Sequence, residues 1–140
     1  KEINLKELFD ELENDLSKNN LKINFTETII LKGRPLALKR SFENIIQNGL
    51  MYGNNVYVKI SKINKRVVIL IEDDGPGIPE DQYKNVFKPF FRLDKSRSLN
   101  QSGVGLGLAI VEDIINSHGG NIQMGKSKYD GLQVKISLPS

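Results

Sequence analysis

Three short segments carry residue types that can do chemistry. "QSGVGLGLAIV", residues 101–111, alternates Gly103, Gly105 and Gly107 with apolar residues and runs into a helical apolar pattern. Glycine costs a helix interior about 1 kcal/mol against alanine, so three of them at a helix start need a reason. A backbone without Cβ atoms can approach a bulky anion and adopt φ > 0, and the N–H groups of a helix N-terminus favour phosphate. A flexible hinge is the other reading of the same glycines. "EDDGPGI", residues 72–78, follows an apolar strand-like run. A carboxylate at a strand end can accept a hydrogen bond from an exocyclic amine, while Gly75 and Gly77 leave room for a flat ring. The competing reading is a Pro-Gly turn with solvated acids. "ENIIQNGLMYG", residues 43–53, puts Asn44 and Asn48 four apart on one helix face, away from the stripe of Phe42, Ile45, Ile46 and Gly49. Neutral amide oxygens suit Mg²⁺, which takes few protein ligands and prefers phosphate and water oxygens. Glu43 beside them can act as a base or hold a water.

The elements that must position these segments follow from periodicity. Leu5, Leu8, Phe9, Leu12 and Leu16 predict an amphipathic helix over 4–17. "LKINFTE" and "TIILKG" predict two strands, the second closed by Gly33. Pro35 suits a first helical turn, and the helix it opens runs to about Tyr52. "NNVYVKIS" and "RVVILIED" predict a strand pair, 80–86 a short helix, and 92–103 a polar, irregular loop. An apolar helix is expected from Leu106 to Ser117, ended by Gly119 and Gly120, and then a closing hairpin of "NIQMGKS" and "LQVKISLP". Strands mostly in antiparallel pairs argue for an α+β two-layer sandwich, a mixed, mostly antiparallel sheet covered by helices on one face. Gly120, Gly125, Lys126 and Ser127 fit a Walker A pattern, but a P-loop has a strand before it and a helix after. Here the order is reversed, so the pattern is rejected. The dinucleotide fingerprint fails because Leu108 stands where its last glycine is required.

Composition narrows the function classes. At 140 residues the chain reads as a single domain, 1–140, able to build its own core. A net charge of +3 and a pI near 9.1 are mildly basic, without the dense stripe of a nucleic-acid binder. There is no cysteine, and the single histidine excludes a His-rich metal site. The longest strongly apolar run, Val67 to Ile71, is far short of a membrane span. A start on Lys1 without Met suggests a fragment of something longer.

Taken together with "FKPFFR" at 87–92, the three segments resemble the nucleotide-binding catalytic domain of sensor histidine kinases, in the wider superfamily of gyrase-, Hsp90- and MutL-like ATPases. "ENIIQNGLMYG" resembles the N box, Asp73, Gly75 and Gly77 the G1 box, "FKPFFR" the F box, and Gly103 to Leu108 the G2 box. His118 to Gly120 match a common helix ending, "HGG". The resemblance covers nearly the whole chain, and the subgroup is most like that of the osmosensor EnvZ. It implies the ATP-binding fold named after Bergerat, with ATP and Mg²⁺ as cofactors. Asn48 would hold Mg²⁺ and Asn44 would lie near the phosphates, with Glu43, Asn44 and Arg92 as the catalytic group. Asp73 would bind the adenine amino group. Gly75, Gly77 and Ile78 would shape its pocket, and Tyr52 would flank the nucleotide. Arg92 would reach the γ-phosphate. Gly103, Val104, Gly105, Leu106, Gly107 and Leu108 would contact the phosphates behind an ATP lid at 92–103.

The resemblance further implies a histidine acceptor on a separate dimerisation domain of the same protein, then transfer to an aspartate of a response regulator. The fragment would be the cytoplasmic part of an inner-membrane sensor, touching neither nucleic acid nor membrane. His118 lacks an acidic neighbour and is expected to be structural. Met51 and Val104 depart from the family's usual Lys or Arg and Thr or Ser, so charge stabilisation would rest on Arg92 or on Lys95 or Arg97 of the lid. Rival readings are an anti-sigma-factor-type Ser/Thr kinase, a nucleotide-dependent switch of the same superfamily, and a binding module that has lost catalysis. Phe87, Phe90 and Phe91 argue against the first, and are expected to dock on the helical domain or brace the lid.

Overall fold

The computed structural model describes residues 1–16, 20–88 and 103–140. Among the described residues seven strands and three α-helices follow in the order β1 (Glu2–Asn4), α1 (Leu5–Leu16), β2 (Leu21–Phe25), β3 (Ile30–Lys32), α2 (Pro35–Tyr52), β4 (Val56–Ile63), β5 (Arg66–Asp73), α3 (Gly103–Ser117), β6 (Asn121–Lys126) and β7 (Leu132–Pro139). Short 3₁₀ turns at Glu80–Gln82 and Asn85–Phe87 stand where a short helix was expected.

The main sheet has the order β2-β4-β5-β7-β6. Only the β2–β4 pair is parallel; the other three are antiparallel. Alternation fixes its faces. Val56, Val58 and Ile60 of β4, Val67, Ile69 and Ile71 of β5, and Val134, Ile136 and Leu138 of β7 are buried on one side, in one core with the apolar stripes of the helices. Tyr57, Lys59, Glu72 and Lys135 alternate with them and so face the other side. This is the expected mixed two-layer α+β sandwich.

Helix α2 forms because Pro35 pre-sets its first turn and Leu38, Phe42, Ile45, Ile46 and Gly49 recur at helical spacing. Its Phe42 ring stacks on Phe9 of α1 with centroids 4.9 Å apart. Lys39 bonds Glu11 at 2.7 Å and Asp15 at 2.8 Å, and these two acids hold its ammonium well above the ordinary lysine range. Sequence periodicity did not reveal β1, which pairs with β3 in a separate two-stranded sheet. The other correction concerns α3. It begins at Gly103, not Leu106, so the glycines stand in the first turns of the helix instead of ahead of it. Of the Walker-like residues, Gly120 precedes β6, Gly125 and Lys126 lie on it and Ser127 is in the turn after it, with β7 and no helix following.

Candidate functional site

The site is built where the end of β5, the face of α2 and the start of α3 converge. Asp73 closes β5 on the helix-covered side of the sheet and is only 8% exposed. Its Oδ1 accepts the backbone N–H groups of Gly75 (2.9 Å) and Leu132 (3.1 Å). Among the described residues no hydrogen bond reaches Oδ2, which lies on the α2 side, 3.6 Å from where a Cβ on Gly49 would stand. Burial pushes the Asp73 carboxyl above its ordinary value; the two N–H bonds offset part of that shift. Its neighbour Asp74 also ties Oδ1 to two backbone N–H groups, but it is less buried and its second oxygen is engaged as well. Oδ1 accepts the N–H groups of Asn54 (2.7 Å) and Asn55 (2.8 Å), and Oδ2 accepts Asn55 Nδ2 (3.0 Å). The side chain and backbone of Asn55 hold the Asp74 carboxyl below the ordinary range. Asp74 therefore fastens the link from α2 to β4, while Asp73 presents a buried acceptor. Two adjacent carboxylates with environments that push them apart mark two different roles.

Asn44 and Asn48 meet as the spacing predicts: Asn48 Nδ2 donates to Asn44 Oδ1 at 3.2 Å, and both side chains are half-buried. Gly107 explains one of the glycines. A Cβ there would overlap the Asn44 amide, so α3 packs directly on the asparagine pair only because position 107 has no side chain. Asn44 and Gly107 also line a cleft of about 660 Å³ between α2 and α3, together with Arg34, Arg40 and the half-exposed Ile110. Of the asparagine pair only Asn44 lines that cleft, and Asp73 does not.

Glu43 and Tyr52 are half-buried on α2, and the Tyr52 carbonyl stands 2.7 Å from where a Cβ on Gly75 would be. Gly77 has φ 74°, a left-handed conformation that glycine adopts without strain. Ile78 packs against the core beside it, and Leu108 is buried in the core. Met51 is 51% exposed at the end of α2. Gly103, Val104, Gly105 and Leu106 are placed in the backbone of α3. Arg92, Lys95 and Arg97, Phe90 and Phe91, and the lid expected over 92–103 apart from Gly103, which opens α3, lie outside the described residues. His118 ties the end of α3 to the start of α2: Nε2 accepts the Arg34 N–H at 3.0 Å, and Nδ1 lies 2.7 Å from the Ile114 carbonyl.

Sequence reading missed Gly131, Leu132 and Glu72. The turn before β7 lies against Asp73, and a Cβ on Gly131 would overlap the Asp73 carbonyl and Oδ1. Asp-Gly between two strands marked a turn, but nothing local joined it to a residue 59 positions away.

Residues 33–140 match the family of histidine kinase-, DNA gyrase B-, and HSP90-like ATPases. Sensor histidine kinase GtrS of Pseudomonas aeruginosa is 39% identical over 107 residues, covering 76% of this chain and 22% of that protein. Sensor histidine kinase CpxA of Escherichia coli is 38% identical over 110 residues, covering 78% and 24%. The chain thus spans about a quarter or less of these relatives. Among solved structures, a mycobacterial sensor histidine kinase, MprB, superposes with a TM-score of 0.86 at 27% identity, covering 99% of this chain and 97% of the other. The histidine kinase domain of the E. coli osmosensor EnvZ superposes with a TM-score of 0.75 at 34% identity, covering 99% and 88%. The chain belongs to the histidine kinase-, DNA gyrase B-, and HSP90-like ATPase family, as a catalytic ATP-binding domain of the sensor histidine kinase type.

Proposed function

We propose that residues 1–140 form a single catalytic unit that binds Mg-ATP and donates its γ-phosphoryl group to a histidine on a separate dimerisation domain of the same protein. A response-regulator aspartate then receives the phosphoryl group. The whole protein is a sensor whose inner-membrane anchor lies in other segments and whose catalytic part is cytoplasmic; among the described residues no helix is long and apolar enough to cross a membrane. The observation that carries the reading is Asp73, a buried carboxylate with one oxygen tied to the backbone and the other presented beside α2.

Asp73 Oδ2 accepts the adenine amino group. Gly75, Gly77 and Ile78 line the ring and Tyr52 flanks it. The free N–H groups in the first turn of α3, Gly103 to Gly105, and the Asn44 amide face the phosphates, with Leu106, Gly107 and Leu108 in the turn behind them. Phosphoryl transfer depends on positioning and charge neutralisation more than on covalent chemistry by the protein. The asparagine pair fits Mg²⁺: with Asn48 Nδ2 bonded to Asn44, the Asn48 amide oxygen is left as a neutral ligand. No cluster of three or more His, Cys, Asp or Glu among the described residues offers a protein-only cage, which suits an ion that arrives with the phosphates. Such an ion would neutralise phosphate charge there. Glu43 holds a water or takes a proton beside the asparagines, and Arg92 reaches the γ-phosphate.

The test is transfer of label from γ-labelled ATP to an added helical dimerisation domain that carries the His-Glu or His-Asp acceptor. Acid-labile, base-stable label on that domain is the expected result. Acid-stable label on Ser or Thr of a partner would favour the anti-sigma-factor type instead.

A further inference from the structure

The turn between β6 and β7 is held against the last two residues of β5 from both faces of the sheet. On the helix side, the Leu132 N–H bonds Asp73 Oδ1 and Gly131 lies flat against the Asp73 backbone. The β5–β7 ladder ends at the pair Glu72 and Gln133, so at the next register position Leu132 bonds a side chain where a ladder carbonyl would be expected. On the open side, Glu72 is buried and its Oε2 accepts the Lys128 N–H at 3.2 Å and Gln133 Nε2 at 3.4 Å. The Tyr129 ring stacks on Tyr57, with centroids 4.0 Å apart and planes 19° apart. The turn is closed on itself as well: the Ser127 N–H donates to the Gly131 carbonyl, and Ser127 Oγ accepts the Tyr129 N–H, both at 2.9 Å.

This arrangement has a chemical consequence. A carboxylate with both oxygens available can take two adjacent donors, such as the ring N–H and amino group of guanine. With Oδ1 engaged by two backbone N–H groups, Asp73 offers a single acceptor, which suits the one amino group of adenine. We propose that the turn at 127–132 is a base-specificity clamp, and that Glu72 is a positioning residue acting through it to keep Asp73 from reading guanine. The inference rests on the nucleotide-binding reading above.

Affinities of MgATP and MgGTP for the 140-residue chain, measured by titration calorimetry, provide the test. Glu72→Ala releases the Lys128 N–H and Gln133, whereas Glu72→Gln keeps an acceptor oxygen for the Lys128 N–H. Gly131→Ala forces the turn away from Asp73, and the backbone at 131 has no positive φ to make alanine itself strained. Glu72→Ala and Gly131→Ala should each lower the ratio of GTP to ATP dissociation constants about tenfold, the scale of one hydrogen bond to a charged group. Glu72→Gln should restore the ratio. A ratio depends on folded protein only, so Glu72→Ala against Glu72→Gln decides the matter even if Gly131→Ala folds poorly. Equal loss of both affinities, or an unchanged ratio in Glu72→Ala, would overturn the clamp. Wild-type protein that binds neither nucleotide, or Asp73→Asn that keeps full ATP affinity, would overturn the underlying reading instead.

Discussion

The two ends of the site are built on different principles. At the Asp73 end the acceptor is charged, buried and fixed by backbone N–H groups from two directions, so its geometry exists before any ligand arrives. At the Asn44–Asn48 end the groups are neutral amides, half-buried and bonded to each other, with Gly107 packed on Asn44. The first end can select a base because selection needs a rigid, oriented partner. The second suits a cluster of phosphate charge, where neutral oxygens accept a metal and helix N–H groups accept an anion without a fixed countercharge to displace. On the proposed reading base identity and phosphate handling are separable, and substitutions should split them.

Asp73→Asn should have the largest effect. It replaces the presented oxygen or its partner with a donor, and ATP affinity should fall about a hundredfold, near the upper range for a hydrogen bond to a charged group. Thermal stability should hold or rise, because a buried charge is removed. The pH dependence has opposite signs at the two neighbouring acids. Asp73 is shifted upward by burial, so it protonates at higher pH than an ordinary aspartate; affinity should fall there while this group's contribution to stability improves. Asp74 is shifted downward by its Asn55 and Asn54 bonds, so its stabilisation is present above the ordinary aspartate value and lost only as pH falls through its lower folded value. Carboxylate NMR titration should show Asp73 protonating first.

Gly107→Ala comes next and acts at the other end. The added methyl improves helix propensity by about 1 kcal/mol but presses on the Asn44 amide, and overpacking typically costs about 1–3 kcal/mol. ATP affinity should fall about tenfold while adenosine affinity changes little, as calorimetry with both ligands can show. Asn48→Ala should remove most of the Mg²⁺ dependence of ATP binding, a loss of about fivefold, near the value of one neutral hydrogen bond. Met51→Lys should have the smallest effect. It adds a cation at an exposed position, and ATP affinity should rise about twofold at low salt and less at high salt.

How far the sequence revealed this structure can be read from single residues. Pro35 and the stripe from Leu38 to Gly49 disclosed α2 because both signals are local and agree. Alternation is legible in β4 and β7, and β5 shows as the continuous apolar run from Val67 to Ile71. The three-residue β1 has no periodicity of its own; it exists because β3 pairs with it. The start of α3 was placed three residues late, because low helix propensity at Gly103 and Gly105 argues for a loop and is overridden here. At the site, the Asn44–Asn48 contact followed from helical spacing, and Asp73 from its place at a strand end before two glycines. The bond from Leu132 to Asp73 and the engagement of Glu72 join residues 56 to 61 positions apart, and only the sheet order β5-β7-β6 brings them together.

The central claim, one nucleotide site with a base end at Asp73 and a phosphate end at Asn48, is tested most directly by titration calorimetry. Wild type, Asp73→Asn and Asn48→Ala would each be titrated with MgATP and with adenosine. Saturable MgATP binding by wild type is expected, with Asp73→Asn losing both ligands and Asn48→Ala weakening MgATP alone. Adenosine affinity unchanged in Asp73→Asn, or MgATP and adenosine weakened equally in Asn48→Ala, would contradict it.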